Sequence, residues 1–142
     1  MNTISQLMNT KGNAIYSIRP DATVYDAIHL MAEKKIGALL VMDGDKLVGV
    51  ISERDYARNV ILKGRASEST AVKDIMTKRV IYAPPQQTIE QSLALMTEKR
   101  VRHLPILDQD KVVGVVSMGD LVKAIIAEQQ LTIEQLERYI AG

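Results

Sequence analysis

The chain states one pattern twice, 65 residues apart, and any fold it adopts must accommodate both copies. Pro20-Asp21-Ala22-Thr23 is answered by Pro85-Gln86-Gln87-Thr88, and Asp43-Gly44-Asp45-Lys46-Leu47-Val48-Gly49-Val50-Ile51-Ser52 by Asp108-Gln109-Asp110-Lys111-Val112-Val113-Gly114-Val115-Val116-Ser117. Asp55 and Asp120 close the match, and about 15 of the 38 positions from Pro20 to Ala57 are identical without a gap. Solenoids and propellers repeat shorter units in longer arrays, so a long unit repeated once points to two copies of a small module. Sixty-odd residues give a marginal core. Pairing of the copies is therefore a physical expectation.

Each copy yields the same elements. Val24, Ala27, Ile28 and Met31 fall at helical spacing after Thr23, as Ile89, Leu93 and Met96 do after Thr88, where Thr88-x-x-Gln91 fits a capping box. The apolar runs Ala38–Met42 and Lys46–Ile51 flank a turn, and so do Leu104–Leu107 and Lys111–Val116, predicting one hairpin per copy. A second helix starts at Ser52 or Ser117. Short extended segments precede the copies at Ala14–Ile18 and Val80–Ala83. The divisions expected are 1–63 for the first copy with its lead-in, a polar linker at 64–71, 72–130 for the second copy, and 131–142 for a separate helix opened by Thr132-x-x-Gln135. That last helix, with apolar Ile133, Leu136 and Ile140, is expected to pack back on the module or against a second chain.

Composition narrows the function. A net charge of +1 argues against a broad nucleic-acid or anionic-membrane footprint, so any anion site must be local. No run of 18 apolar residues suggests a membrane span. The chain has no Cys and two His, which disfavours a transition-metal site and fits a reducing, cytoplasmic setting. Its glycines form no Walker or dinucleotide loop. His103, Ser117 and Asp120 name the residue types of a hydrolytic triad, but Ser117 lacks the glycine pattern of a nucleophile elbow.

Two motifs carry chemistry. Ser52-x-x-Asp55 and Ser117-x-x-Asp120 read either as helix caps or as ligand contacts. A strand running into a helix N-terminus presents free amides to an anion, and a carboxylate one turn in accepts hydrogen bonds from vicinal hydroxyls. Arg102-His103 then reads as an exposed strand-edge cation beside a satisfied polar residue, or as phosphate donors, Arg in bidentate fashion. The first copy has Gly37-Ala38 there, with Arg54 on the following helix instead, so the two sites are not equivalent.

Val72-Lys73-Asp74-Ile75-Met76-Thr77, Arg100-Val101-Arg102-His103-Leu104-Pro105-Ile106-Leu107-Asp108 and Gly114-Val115-Val116-Ser117-Met118-Gly119-Asp120 together resemble a CBS domain. Ile36–Asp43 and Gly49–Asp55 match it in the first copy, and Ile4-Ser5-Gln6-Leu7-Met8 resembles a worn copy of the lead-in. The resemblance implies a tandem pair, or Bateman module. Its fold class would be α+β: two β-α-β-β-α repeats packed sheet to sheet about a pseudo-twofold axis, with a C-terminal helix added. It implies a non-enzymatic regulatory module, often homodimeric, that binds AMP, ADP, ATP, NAD or S-adenosylmethionine in clefts between the repeats.

The same resemblance assigns ribose to Asp55 and Asp120, and phosphate to Ser52, Arg102, His103 and Ser117, while Arg54, on the first helical turn of the first copy, is placed to reach a phosphate there. It lines the adenine with Thr77, Lys78, Arg79 and Val80. With no effector domain in the sequence, signalling is expected to reach a separate, unidentified protein partner. Two rivals stand beside this reading: a ligand-independent scaffold acting through the dimer and the C-terminal helix, and slow nucleotide hydrolysis by Asp55 or His103.

Overall fold

The structure is a computed structural model that describes residues 2–12 and 14–141. It is mixed α+β, with a three-stranded sheet in the order β1-β2-β3 and a two-stranded sheet, β4-β5. The helices are α1 (Ile4–Lys11), α2 (Val24–Lys34), α3 (Glu53–Tyr56), α4 (Val72–Ile75), α5 (Ile89–Lys99) and α6 (Met118–Ala141). The strands are β1 (Ser17–Ile18), β2 (Ala38–Asp43), β3 (Lys46–Ser52), β4 (His103–Asp108) and β5 (Lys111–Ser117). A π-helical stretch, Ala57–Ile61, continues α3. Both hairpins appear at the positions that the paired apolar runs predict.

The chain divides into two compact units, Ile15–Val80 and Met1–Ala14 with Ile81–Gly142. This division differs from the sequence repeat. The lead-in α1 precedes the first copy in sequence but belongs to the unit of the second, while α4 precedes the second copy and belongs to the unit of the first.

The backbone explains how each lead-in is held. In one unit Ile4 N–H donates to the Gln87 carbonyl, Ser5 N–H to Pro85, and Ile89 N–H to Asn2, at 2.8–2.9 Å. In the other, Val72 N–H donates to Ala22, Lys73 N–H to Pro20, and Val24 N–H to Thr70, again at 2.8–2.9 Å. The repeated Pro20 and Pro85 therefore supply equivalent carbonyls to the first turn of a docked helix, where N–H groups have no intrahelical partner. Apolar burial follows the same exchange. Ile4, Leu7 and Met8 lie in one core with Ile89, Met96, Leu104, Ile106, Val116 and Leu121. Val72 and Ile75 lie in the other with Val24, Met31, Leu39, Val41 and Ile51.

The segment 64–71, read as a polar linker, is tied to the Ile15–Val80 unit: Tyr25 N–H donates to Ser67, Val24 N–H to Thr70, and the Thr70 hydroxyl to Ala66. The helix expected to start at Thr132 is the second half of α6, which runs unbroken from Met118 to Ala141. Thr132 does not cap it; its hydroxyl back-bonds to the Glu128 carbonyl at 3.1 Å. The residues just before it, Ala127-Glu128-Gln129-Gln130-Leu131, are strong helix formers with no Gly or Pro to stop the helix.

Repeated glycines mark where each lead-in crosses its hairpin. A Cβ on Gly49 would lie 2.6 Å from the Met76 sulfur and 3.0 Å from the Thr77 carbonyl oxygen. On Gly114 it would lie 2.5 Å from the Met8 sulfur, with every other neighbour at 3.8 Å or beyond. A thioether can swing aside, whereas a hydrogen-bonded backbone cannot. Gly49→Ala should therefore cost about 2–3 kcal/mol and Gly114→Ala about 1 kcal/mol. Urea midpoints of the two variants check this ordering, and equal losses would contradict it.

Candidate functional site

In each unit the last residue of a hairpin caps the helix that follows. Ser52 closes β3 and caps α3. Its Oγ accepts from Asp55 N–H at 3.2 Å, while Ser52 N–H donates to Asp55 Oδ2 at 2.9 Å. The Ser52 hydroxyl also donates to Oδ2, at 3.0 Å. Ser117 and Asp120 repeat the box at the start of α6: Ser117 N–H donates to Asp120 Oδ2 at 2.8 Å, and Asp120 N–H to Ser117 Oγ at 3.0 Å. The helix-cap reading of both Ser-x-x-Asp motifs is thus realised. It does not exhaust the carboxylate, since an ionised Asp offers about four acceptor positions.

The partner of each carboxylate differs, and here the two copies part company. In the Ile15–Val80 unit α4 ends at Ile75, the chain turns extended at Met76, and Thr77 pairs with Val50 in both directions, at 2.8 and 3.0 Å. The Thr77 hydroxyl then donates to Asp55 Oδ1 at 3.3 Å. In the other unit α1 does not stop after Met8 but runs one turn further, to Lys11. The Lys11 ammonium donates to the Val115 carbonyl at 3.1 Å and pairs with Asp120 Oδ2 at 3.4 Å. Val115 is the repeat equivalent of Val50. One lysine side chain thus occupies the place that the Thr77 amide and hydroxyl occupy in the other copy, and it brings a positive charge.

The remaining candidates fall into place by register. His103 opens β4 directly opposite Ser117. It is half-buried, while Arg102 before it is exposed and accepts Met118 N–H at its carbonyl, 2.9 Å away. Arg54 is exposed on the first turn of α3, beside Asp55. Thr77, Lys78 and Arg79 are exposed and Val80 is half-buried, all in the unit that contains Asp55. The structure therefore assembles Ser52, Asp55 and Thr77 in one unit, and Ser117, Asp120 and His103 in the other. Lys11 was absent from the sequence-derived set. The signal for it was its position three residues past the worn lead-in Ile4–Met8, in the place Arg79 holds after Met76.

Among the described residues no group of three or more His, Asp or Glu side chains is gathered as a metal site would require. No helix there is long and apolar enough to cross a membrane.

The caps themselves are measurable. Losing the Ser side chain removes a helix N-cap, which costs about 1 kcal/mol. Ser52→Ala should cost more than Ser117→Ala, because only the Ser52 hydroxyl is seen donating to its aspartate. Denaturant titration of both variants checks this, and a neutral Ser52→Ala would contradict the capping geometry.

Comparison with known proteins supports the same organisation. The model of the CBS domain matches residues 4–61 and 72–127. CBS domain-containing protein CBSX3, mitochondrial, of Arabidopsis thaliana is 38% identical over 149 residues, spanning 99% of this chain and 72% of that protein. A solved protein with CBS domains from Burkholderia ambifaria MC40-6, named for a role in signal transduction, is 52% identical with a TM-score of 0.87. That match covers 89% of this chain and 96% of the other. The CBS domain pair of protein MJ0100, solved in complex with 5-methylthioadenosine and S-adenosyl-L-methionine, shares the fold at 20% identity. Its TM-score is 0.79, over 89% of this chain and 97% of that one. The chain belongs to the CBS domain family and carries two CBS domains in tandem.

Proposed function

We propose that this protein is a regulatory module that binds adenine nucleotides through its two Ser-x-x-Asp turns and passes the signal to a separate protein. The observation that carries the proposal is the pair of capped, half-buried carboxylates, Asp55 and Asp120, each fixed at a strand-to-helix turn by its Ser. A carboxylate so held keeps acceptor capacity for vicinal ribose hydroxyls. The adjoining helix start supplies the positive end of a dipole for phosphate. The adenosine ligands of the MJ0100 pair are consistent with this chemistry in a protein of the same fold.

The two turns would prefer different ligands. Beside Asp120 stand Lys11 at 3.4 Å, with His103 and Arg102 at the start of the adjacent strand. These suit a phosphate-bearing nucleotide such as AMP, ADP, ATP or NAD. Lys11 would release Asp120 to the ribose and turn to the phosphate, so that its charge stays paired throughout. Beside Asp55 the partner is the neutral Thr77 hydroxyl. Arg54 is the cation of its helix turn, and Thr77 to Val80 would line the base. Such a site tolerates a ligand with less negative charge. Binding can shift the module only if one conformation holds the ligand better than another.

A thermal-shift panel with AMP, ADP, ATP, NAD, S-adenosylmethionine and adenosine tests the reading. A ligand at 100 times its Kd should add about 2.7 kcal/mol of stability. Asp120→Ala should abolish the AMP response, and Lys11→Met should shrink the preference for AMP over adenosine by about tenfold, the worth of one charge-assisted contact. If no adenine compound raises the melting temperature, the proposal fails.

A further inference from the structure

Helix α6 leaves its unit halfway along. Leu121 is buried, and Ala124 and Ile125 pack against the core, but every residue from Ile126 to Ala141 is exposed. The stretch from Ala127 to Ala141 is about 22 Å of helix at 1.5 Å per residue. A 15-residue helix with no packing surface is marginal in water. Yet its apolar residues are not scattered. Val122, Ile126, Ile133, Leu136 and Ile140, with Gln129, fall at alternating spacings of four and three along one stripe. Their exposure ranges from 39% at Val122 to 83% at Ile140, so this is an unfilled seam and not a buried face. With Ile126, Ile133 and Ile140 as position a, positions d are Val122, Gln129 and Leu136, a coiled-coil heptad.

The charges say what fits the seam. Positions e are Lys123, Gln130 and Glu137, and positions g include Ile125, Thr132 and Tyr139. In a parallel pair, e faces g of the other helix, which sets both Lys123 and Glu137 against uncharged residues. In an antiparallel pair, e faces e and g faces g. A two-fold axis at the height of Leu131 then sets Lys123 against the partner's Glu137, Gln130 against the partner's Gln130, and Ile125 against the partner's Tyr139. The core layers close in the same register: Val122 on the partner's Ile140, Ile126 on the partner's Leu136, and Gln129 on the partner's Ile133. Opposed helix dipoles favour this orientation too. Three Glu against Lys123 and Arg138 between residues 122 and 141 give no basic face for an anionic lipid surface.

We infer that the exposed half of α6 pairs with α6 of a second copy of this chain as an antiparallel two-stranded coiled coil centred on Leu131. The pairing is isologous, so it closes at a dimer. Gln129, a polar residue at a core position, costs stability but restricts the register.

The full-length chain tests this by analytical ultracentrifugation and crosslinking. It should sediment as a dimer, and Ile133→Asp, at an exposed position outside both unit cores, should raise the dimer Kd at least 100-fold. Lys123→Glu and Glu137→Lys should each weaken the dimer about tenfold, and an equimolar mixture of the two variants should regain it, because their charges complement one another. The native chain has no Cys, so introduced thiols report alone. A bis-maleimide of about 8 Å should link the Gln130→Cys chains and leave Ile140→Cys unlinked, since antiparallel pairing holds the two 140 positions ~27 Å apart. Crosslinking at 140 would overturn the antiparallel register. A monomeric wild type, or a dimer indifferent to Ile133→Asp, would overturn the pairing altogether.

Discussion

Each unit is completed by a short helix that comes from outside its own repeat. Without α1, the core around Ile89, Met96 and Leu104 loses Ile4, Leu7 and Met8; without α4, the core around Val24, Met31 and Leu39 loses Val72 and Ile75. The docking is fixed by backbone hydrogen bonds to Pro20 and Pro85 and by Met side chains seated on Gly49 and Gly114. Because the lead-ins are exchanged, the chain passes between the units at residues 14–15 and again at 80–81. Neither repeat, excised at its sequence boundaries, would keep the helix that its own core requires.

The docked lead-ins also set the character of the sites, because each ends beside an aspartate. Where α4 stops early, the extended backbone lets Thr77 pair with Val50 and reach Asp55 as a neutral donor. Where α1 continues for another turn, that backbone pairing is replaced by the Lys11 side chain, which brings a cation to Asp120. A difference in the length of one short helix thereby becomes a difference in electrostatic character between two otherwise matched turns. The capping boxes themselves are nearly superposable in their bonding, so the specificity proposed for each site comes from what is added beside the box.

Much of this was legible in the residues. The hairpins, the Thr23 and Thr88 helix starts, and the Ser-x-x-Asp caps are local signals, set by apolar runs broken at a turn and by side chains that bond three positions away. The family resemblance rested on the same segments. The exchange of lead-ins was not legible, since Ile4-x-x-Leu7-Met8 and Val72-x-x-Ile75-Met76 present the same apolar face and either would suit either core. Which one docks where is a long-range matter that no spacing encodes. Lys11 was missed for a related reason: its carboxylate partner lies over a hundred residues away. Thr132-x-x-Gln135 misled in the opposite direction, because a capping sequence starts a helix only where the chain is not already helical.

The two turns should differ most plainly in their response to a phosphate-bearing ligand. Backbone amide shifts recorded during an AMP titration would resolve it residue by residue. The amides of Lys11, Ser117 and Asp120 should move first and saturate at lower AMP concentration than those of Ser52, Asp55 and Thr77. Amides in both turns that stay fixed at millimolar AMP, or that follow one common curve, would contradict it.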